Sequence, residues 1–592
     1  MALVNIGTWL ARNGRRVLLV DFDLESPGIT HYALPNMKSE QKGVVDYLFE
    51  MSHGKPPATL EGYYFESFTD KGGGRLYVMP AGKASTHVSR FEKLDLGHLY
   101  QKGDGYLILE NLKGLWKREI IPDYVFIDSR TGYNEVAGIC TRQLPDAVIA
   151  TFIPSPQNLN GLREIVDQIR AQNKQNWRSE IKVHFLASSI PSIDDEDGSI
   201  ADAVARSKQV LEFEQLLGSV SYIPSAAHLN QTVFTLEKEQ SRLAKNFATV
   251  ARAITMINPA DPEGAKNYLD RLLDRDHALM RTLVSARLAE ELKEIGQRHS
   301  ANVDVMFRLA RVRLRQGEIE DAVGALDAVL EIDPNVSEAR LLRATLRIQS
   351  NDTQAAVADL QSVLGRTDLD VIQVNRAARA LADAAPEALG DIQHTKAYAS
   401  LDVDERASLL LNIVRSRVGG LDRVVKAIES LLDERITDEG VKEDLRRSVI
   451  LHRIHQGNFD DARALLGKRP TDDSDAVLLF NYAVAEWGWT GNPPADLFAV
   501  LASRSVNAAE QGANHLQCFG LAHAVTGDKE LARTLLESAR QMALRAARPE
   551  FSAWTYSLVT PTEFAAHVAE MLQALNTGEM VLPPVIGRRR GG

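Results

Sequence analysis

Apolar and polar positions change rhythm once along this chain. Up to about residue 260, short and nearly continuous apolar runs alternate with amphipathic stretches: "RVLLVDFD" from Arg16, then "RLYVMPAG", "DYVFIDSRTG", "DAVIATFIP", "KVHFLASSIP" and "VSYIP". Runs that are apolar throughout, instead of at every second residue, read as strands buried on both faces. Interleaved with helices, they predict an α/β, doubly wound, mostly parallel sheet. Past residue 260 the Val/Ile-rich runs stop, and Ala, Leu, Arg, Glu and Asp follow one another at helical spacing. The second half is therefore expected to be all helix. "INPADPEG", from Ile257 to Gly264, carries two prolines and a glycine and is the natural joint.

The helical half repeats. Ala310, Gly317, Ala322 and Leu326 recur 34 residues later as Ala344, Asn351, Ala356 and Leu360, and the same offsets return as Gly457, Ala462, Leu466 and as Gly527, Ala532, Leu536. Asn is the common substitute for Gly where a helix ends in a left-handed residue. This period, with small residues where paired helices touch and "DPN" (Asp333 to Asn335) after the second helix, resembles the tetratricopeptide repeat. Units such as "LLLNIVRSRVGGLDRVVKAIESLLDE" are degenerate. A generic helical bundle would have no reason to keep a fixed period. Stacked repeats bind extended peptides or partner helices, so an all-α solenoid implies a protein or peptide partner in its groove. "TPTEFAAHVAEMLQAL" (Thr560 to Leu575) has the Thr, Pro and Glu of a capped terminal helix and is expected to close the stack, while "GRRRGG" (Gly587 to Gly592) reads as a disordered basic end.

Bulk properties narrow the class. A chain of 592 residues exceeds one hydrophobic core and implies several domains. Its net charge of −11 argues against a whole-molecule grip on nucleic acid or anionic lipid. Two cysteines, Cys140 and Cys518, far apart, exclude a disulfide framework and fit a reducing compartment. No apolar run approaches the roughly 18 residues of a membrane span, and the basic residues of "MALVNIGTWLARNGRR" follow its apolar stretch, the reverse of a secretory signal. A cytoplasmic protein is expected. His184, in a strand-like run, reads as structural.

Chemistry enters with two acids. Asp21 and Asp23 stand where the first buried strand ends, and in open parallel sheets ligands sit outside the carboxyl ends of the strands. "DYVFIDSRTG" ends alike, with Asp128 before a Ser-Arg-Thr-Gly turn. An Asp at a strand tip followed by a polar turn and Gly is how phosphate-hydrolysing switches hold magnesium through water and sense a terminal phosphate. The alternative for each acid is a turn or helix-capping carboxylate. Arg130 is either a phosphate sensor or a surface residue of that turn.

"RNGRRVLLVDFDLESPGI", "DYVFIDSRTGYNE" and "DAVIATFIPSPQNLNGLREIVDQI" together resemble the ParA/MinD-type nucleotide-binding domain, of the deviant P-loop (SIMIBI) class, particularly its bacterial members. The resemblance covers roughly residues 1–258. It implies an ATP- and magnesium-binding fold in which Asp21 and Asp23 lie beside the γ-phosphate and the attacking water. Asp128 would be the magnesium-side carboxylate and Gly132 the switch glycine. Pro224, in "SYIPSAAHL", would contact the base, whereas "LASSIPS" departs from the family's Asn-Arg pair after the preceding strand. The family closes ATP-dependent homodimers.

The family's first strand and its Lys-containing glycine-rich loop do not precede "MALVNIGTWLA" here. That loop's N–H groups and Lys form the anion site. "KGGGR" (Lys71 to Arg75) precedes a strand, lacks the Lys-Ser/Thr ending, and reads as a turn. The gene is expected to encode about 10 to 40 further residues upstream, the length of one strand and one loop. ATPase activity is expected if that loop exists, and inactivity from residues 1–592 alone. The organisation expected is a truncated ATPase domain (1–258), a helical linker (259–300), tetratricopeptide-like repeats (301–545), and a capping helix with a basic tail (546–592). The function expected is an ATP-dependent switch coupled to partner binding by the repeat arm, with Arg308, Arg311 and Arg340 as a clamp for an acidic peptide. The alternatives are a nucleotide-free repeat scaffold and a ParA-like partitioning or positioning ATPase.

Overall fold

The computed structural model describes all residues except 39, 96–103, 130–134, 176–179, 192–197, 225–230, 275–285, 390–391, 416–420, 506–511 and 588–592. The chain forms two compact units, Met1–Gly317 and Glu318–Gly592.

The first unit is α/β. It opens with helix α1 (Ala2–Arg12), whose Val4, Ile6, Leu10 and Ala11 are buried. Strand β1 (Arg16–Asp21) follows and is the predicted "RVLLVD" run, with Val17 to Val20 fully buried. It is sandwiched between β3 (Arg75–Met79) and β4 (Tyr124–Asp128), parallel to both, and β2 (Phe65–Thr69) adds antiparallel to β3 in the order β2-β3-β1-β4. A second, wholly parallel sheet has the order β5-β6-β7, from Ala147–Phe152, Lys182–Ile190 and Leu216–Ser221. Between β4 and β5 the chain passes through α2 (Glu135–Arg142), and α3 (Pro156–Gln175) follows β5. The mostly parallel α/β architecture is thus present, but its strands form two sheets.

One core serves both. Val4 and Leu10 of α1, Leu19 of β1, Tyr124 of β4, Leu186 of β6, Val220 of β7 and Phe247 of α4 (Arg242–Ile257) pack in a single cluster. Burial of such side chains contributes roughly 1.5–3 kcal/mol each. On the other side, β4 and β5 each have one hydrogen-bonded neighbour among the described residues, and a cleft of about 1930 Å³ runs between the edges so left, lined by Phe126, Ile127, Ile149, Thr151, His184 and Met1. A strand edge left free keeps its N–H and C=O groups available for another strand.

The "INPADPEG" joint is held firmly to this unit. Asp261, buried, accepts from Arg15 (Nη2 at 2.9 Å, Nε at 3.0 Å) and from the Tyr124 hydroxyl at 2.9 Å, while capping α5 (Pro262–Leu273) through Glu263 N–H. A buried carboxylate with this many donors leaves no lone pair unsatisfied. Helix α6 (Val303–Gln316) packs on α5.

Among the described residues the second unit is helical apart from one hairpin. Helices α7 (Ile319–Ile332), α8 (Ser337–Gln349) and α9 (Thr353–Leu364) follow one another, and further pairs lead to α10 (Glu439–His455) with α11 (Phe459–Leu466), α12 (Ala476–Thr490) with α13 (Ala495–Ser503), and α14 (Ala513–Thr526) with α15 (Lys529–Arg545). The 34-residue period is physical. Ala344, Ala356, Ala462 and Ala532 are fully buried where neighbouring helices meet. Gly457 (φ 76°) and Gly527 (φ 95°) are left-handed, and so is Asn351 (φ 61°), the predicted substitute for Gly. At Gly520 a Cβ would lie 2.7 Å from Leu536, so only glycine lets α14 approach α15 this closely. Hairpin β8 (Glu550–Ser552) and β9 (Ser557–Val559) precedes α16 (Pro561–Thr577), whose Thr560 and Glu563 form the predicted capping box.

Candidate functional site: carboxylates at the ends of two parallel strands

Register brings the acids together. Asp21 and Asp128 are paired positions of β1 and β4, at the carboxyl ends of both strands. Asp23 stands two residues beyond, its Oδ1 accepting from Ser26 N–H at 3.2 Å.

The acids do different work. Asp21 is fully buried, and its Oδ2 accepts from the N–H groups of Gly28 (3.1 Å) and Ile29 (3.0 Å), which pins the loop "DLESPG" over the end of β1. Its Oδ1 is buried with no partner among the described residues. Burial pushes the Asp21 carboxyl up to about 7, against the pull of Ile29 N–H and with the help of Asp128. Asp128, half-buried, is also raised by burial; the Met1 amino group lowers it and Asp23 raises it. The Met1 amino group is itself lowered by burial, with Asp128 opposing. The start of α1 therefore sits beside Asp128, and both line the cleft between β4 and β5. The loop approaches from the other side: a Cβ on Gly28 would lie 3.8 Å from Asp128 Oδ2.

Crowded, partly desolvated carboxylates with an unpaired oxygen are stabilised by a cation, and magnesium is commonly met by one or two carboxylates through its waters. The donor set, in which among the described residues no group of three or more His, Cys, Asp or Glu is placed to hold a metal directly, could meet a divalent ion only through its waters. It does not suit phosphate alone, because no Lys or Arg acts on Asp21 or Asp128 among the described residues.

Other expected positions fall as follows. Gly132 and Arg130 lie outside the described residues, as does the whole of "SAAHL". Pro224 is exposed, three residues beyond β7. In "LASSIPS", Ser189 is left-handed (φ 56°) within β6. "KGGGR" is the turn joining β2 to β3, and Arg75 pairs with Arg16, at the opposite end of β1 from Asp21. His184 lines the cleft, its imidazole lowered by burial. Sequence reasoning missed the anchoring role of Gly28 and Ile29 N–H; Pro-Gly seven residues after a buried Asp was the available signal.

The arginine clamp is corrected. Arg308 is bound by Asp270 (Nε to Oδ1 2.9 Å, to Oδ2 3.1 Å), and Arg340 donates to Pro334 C=O at 2.6 Å and lies 3.9 Å from Asp359. Asp359, nearly buried in α9, is gripped mainly by Arg343 (2.5 and 2.9 Å) and Arg347 (2.9 Å). These guanidinium groups stitch helices together and are already satisfied. Arg311 alone of the three proposed is exposed.

Residues 285–346 match the family model described as tetratricopeptide repeat. No curated protein matches the sequence. Among solved structures, the cell division ATPase MinD of Pyrococcus furiosus is 17% identical, covering 43% of this chain and 92% of that one, with a TM-score of 0.31. Cyanothece McdA, solved as a substituted form in complex with ATP, is likewise 17% identical, over 43% and 90%, with a TM-score of 0.33. Cobyrinic acid a,c-diamide synthase of Mycobacterium smegmatis, solved with an ATP analogue and magnesium, is 18% identical over 43% and 88%, with a TM-score of 0.30. No helix among the described residues is long and apolar enough to cross a membrane.

Proposed function

We propose that this protein is an ATP-dependent molecular switch whose helical-repeat arm binds a protein partner. The observation that carries the reading is the convergence of Asp21, Asp23 and Asp128 where parallel β1 and β4 end, beside the start of α1. In this reading Asp128 holds magnesium through water and Asp23 faces the attacking water. Asp21 fixes the loop that carries Asp23. Gly132 reports the terminal phosphate and Pro224 borders the base. Bound ATP would supply the phosphoryl group whose hydrolysis resets the switch.

The phosphate donors are assigned to no described residue of this chain; the reading requires a further strand followed by a glycine-rich loop beside the start of α1. Support comes from the cleft. The Asp128 C=O accepts from Phe22 N–H at 2.9 Å, so strand alternation turns the backbone groups of Val125 and Ile127 away from β1, toward the cleft. A further parallel strand there would join the two sheets and deliver its following loop to the start of α1. Two copies closing on ATP would present the arms in pairs, and a bivalent partner would gain through effective concentration.

Calorimetry tests the reading. Residues 1–592 should show no saturable Mg·ATP binding, and a chain extended by a strand and a Lys-containing glycine-rich loop joined ahead of α1 should bind at micromolar concentration. In the extended chain, Asp128→Asn should weaken the magnesium dependence, and Asp23→Ala should slow hydrolysis more than binding. An extended chain that binds no nucleotide would favour the second reading, a nucleotide-free repeat scaffold, which the lack of a basic side chain at the described site supports.

A further inference from the structure

The C-terminal segment of the second unit folds back over three helices. Thr555 C=O accepts from the Nδ1 of His455 in α10 at 2.7 Å. The Tyr556 ring stacks on Phe480 of α12, centroids 6.3 Å apart. Ala553 N–H donates to Gln517 Oε1 of α14 at 2.9 Å. Helices α10, α12 and α14, the first members of successive pairs, therefore share one face, and the β8–β9 hairpin lies on it.

Beyond α16 the chain takes a different kind of seat. Gly578 ends the helix in the left-handed region (φ 75°), Glu579–Pro583 runs without regular structure, and the single turn Pro584–Gly587 packs on α12. Val581, Pro583, Val585 and Ile586 are buried, while Met580 (63%) and Leu582 (41%) are exposed. Among the described residues no hydrogen bond or ion pair joins 578–587 to the helices; the segment's own bond, from Ile586 N–H to Pro583 C=O, only closes its final turn. The hairpin is tied by directional bonds to three helices, whereas the tail is held by apolar side chains alone. Helix α12 explains the need for cover: Leu479, Phe480, Tyr482, Ala483, Val484 and Trp487 are buried around its whole circumference, more than α11 and α13 can flank.

We infer that this face of α12 is a docking site for a short, extended, apolar segment containing proline, and that Glu579–Gly587 ("EMVLPPVIG") is its exchangeable resident. A partner polypeptide presenting the same chemistry takes the seat by displacing the tail. Proline limits the entropy lost when such a segment is ordered, and contacts made without backbone pairing can be exchanged one occupant for another. The site concerns the second unit alone and is independent of the nucleotide reading.

The test uses the full chain carrying Val581→Asp, Val585→Asp and Ile586→Asp together, and a fluorescein-labelled peptide of residues 578–592 as probe. The variant should keep a cooperative thermal transition by circular dichroism and bind the peptide saturably by anisotropy. The unmodified chain, its seat filled, should bind at least tenfold more weakly, and a peptide with the same three substitutions should not bind. Loss of the cooperative transition would make the tail an integral part of the core and overturn the proposal. A folded variant that ignores the peptide, or equal binding by both chains, would overturn it as well.

Discussion

The two units bury their apolar surface by opposite means. In the first, the central strand draws partners far away in sequence: β1 pairs with β3 and with β4, the latter more than a hundred residues later. An edge without a partner therefore opens the middle of the fold, as between β4 and β5. In the second, each helix is covered by the next, and α15 is closed by α16, its neighbour in the chain. A repeat stack needs completion only at its ends, and local sequence supplies it. A sheet needs completion wherever a strand edge is free, and the partner can come from anywhere in the chain.

The sharpest way to break this contrast is to damage one unit and watch the other. At Gly74 a Cβ would lie 1.9 Å from Ala11 C=O, so Gly74→Val should destabilise the first unit by more than about 3 kcal/mol. Trp487→Ala, in the fully buried centre of α12, should cost about 3–5 kcal/mol in the second. Calorimetric scans should show each substitution lowering one transition and sparing the other. Movement of both transitions together would mean the units do not unfold separately.

Next in size is a pH effect confined to the first unit. Asp21 has an ordinary value of 3.8 and is pushed up to about 7 in the fold. The folded state therefore binds more protons than the unfolded state between those values, so this contribution is fully present below about pH 4 and is lost as pH rises through 7. Asp21→Asn accepts from the same N–H groups without the charge. In metal-free buffer it should leave stability near pH 4 little changed and raise it at pH 8 by on the order of 2–4 kcal/mol. Urea midpoints at the two pH values measure this; an equal effect at both would refute the assignment of burial as the cause.

The free edge should also exchange. Val125 and Ile127 amides of β4 should lose deuterium protection at least about a hundredfold faster than Leu18 and Val20 in β1, which are paired on both sides. The smallest effect probes repeat punctuation. Asn351→Ala should cost about 1 kcal/mol in the second unit because its φ of 61° is unfavourable for Ala, and Asn351→Gly should be neutral or gain a few tenths.

Legibility followed the same division. The strands from "RVLLVD" to "VSYIP" and the alternation of helix and strand were readable because burial on both faces writes itself as unbroken apolar runs. The repeat was readable because its punctuation, Gly317, Asn351, Gly457 and Gly527, obeys a backbone rule that a single residue reveals. At the site, Asp21, Asp23 and Asp128 were legible as strand-end acids. Their unequal roles were not, since nothing in "VDFDLESPG" says which carboxylate turns inward to hold Gly28 and Ile29. The arginines show the converse: Arg308 and Arg340 read as an outward clamp, yet Asp270 and Pro334, in other elements, already satisfy them.

By itself the sequence determined what depends on neighbours a few residues away: which segments are strands, where helices begin and stop, and that a 34-residue unit recurs. Tertiary structure alone decided what depends on distant partners. It split the strands into two sheets, locked Asp261 onto Arg15 and Tyr124, and seated Val585 and Ile586 against α12. The reason is physical. Propensity, capping and periodicity act through local backbone geometry, whereas edge pairing, ion pairing and apolar burial are indifferent to separation along the chain and are settled only when the whole unit has packed.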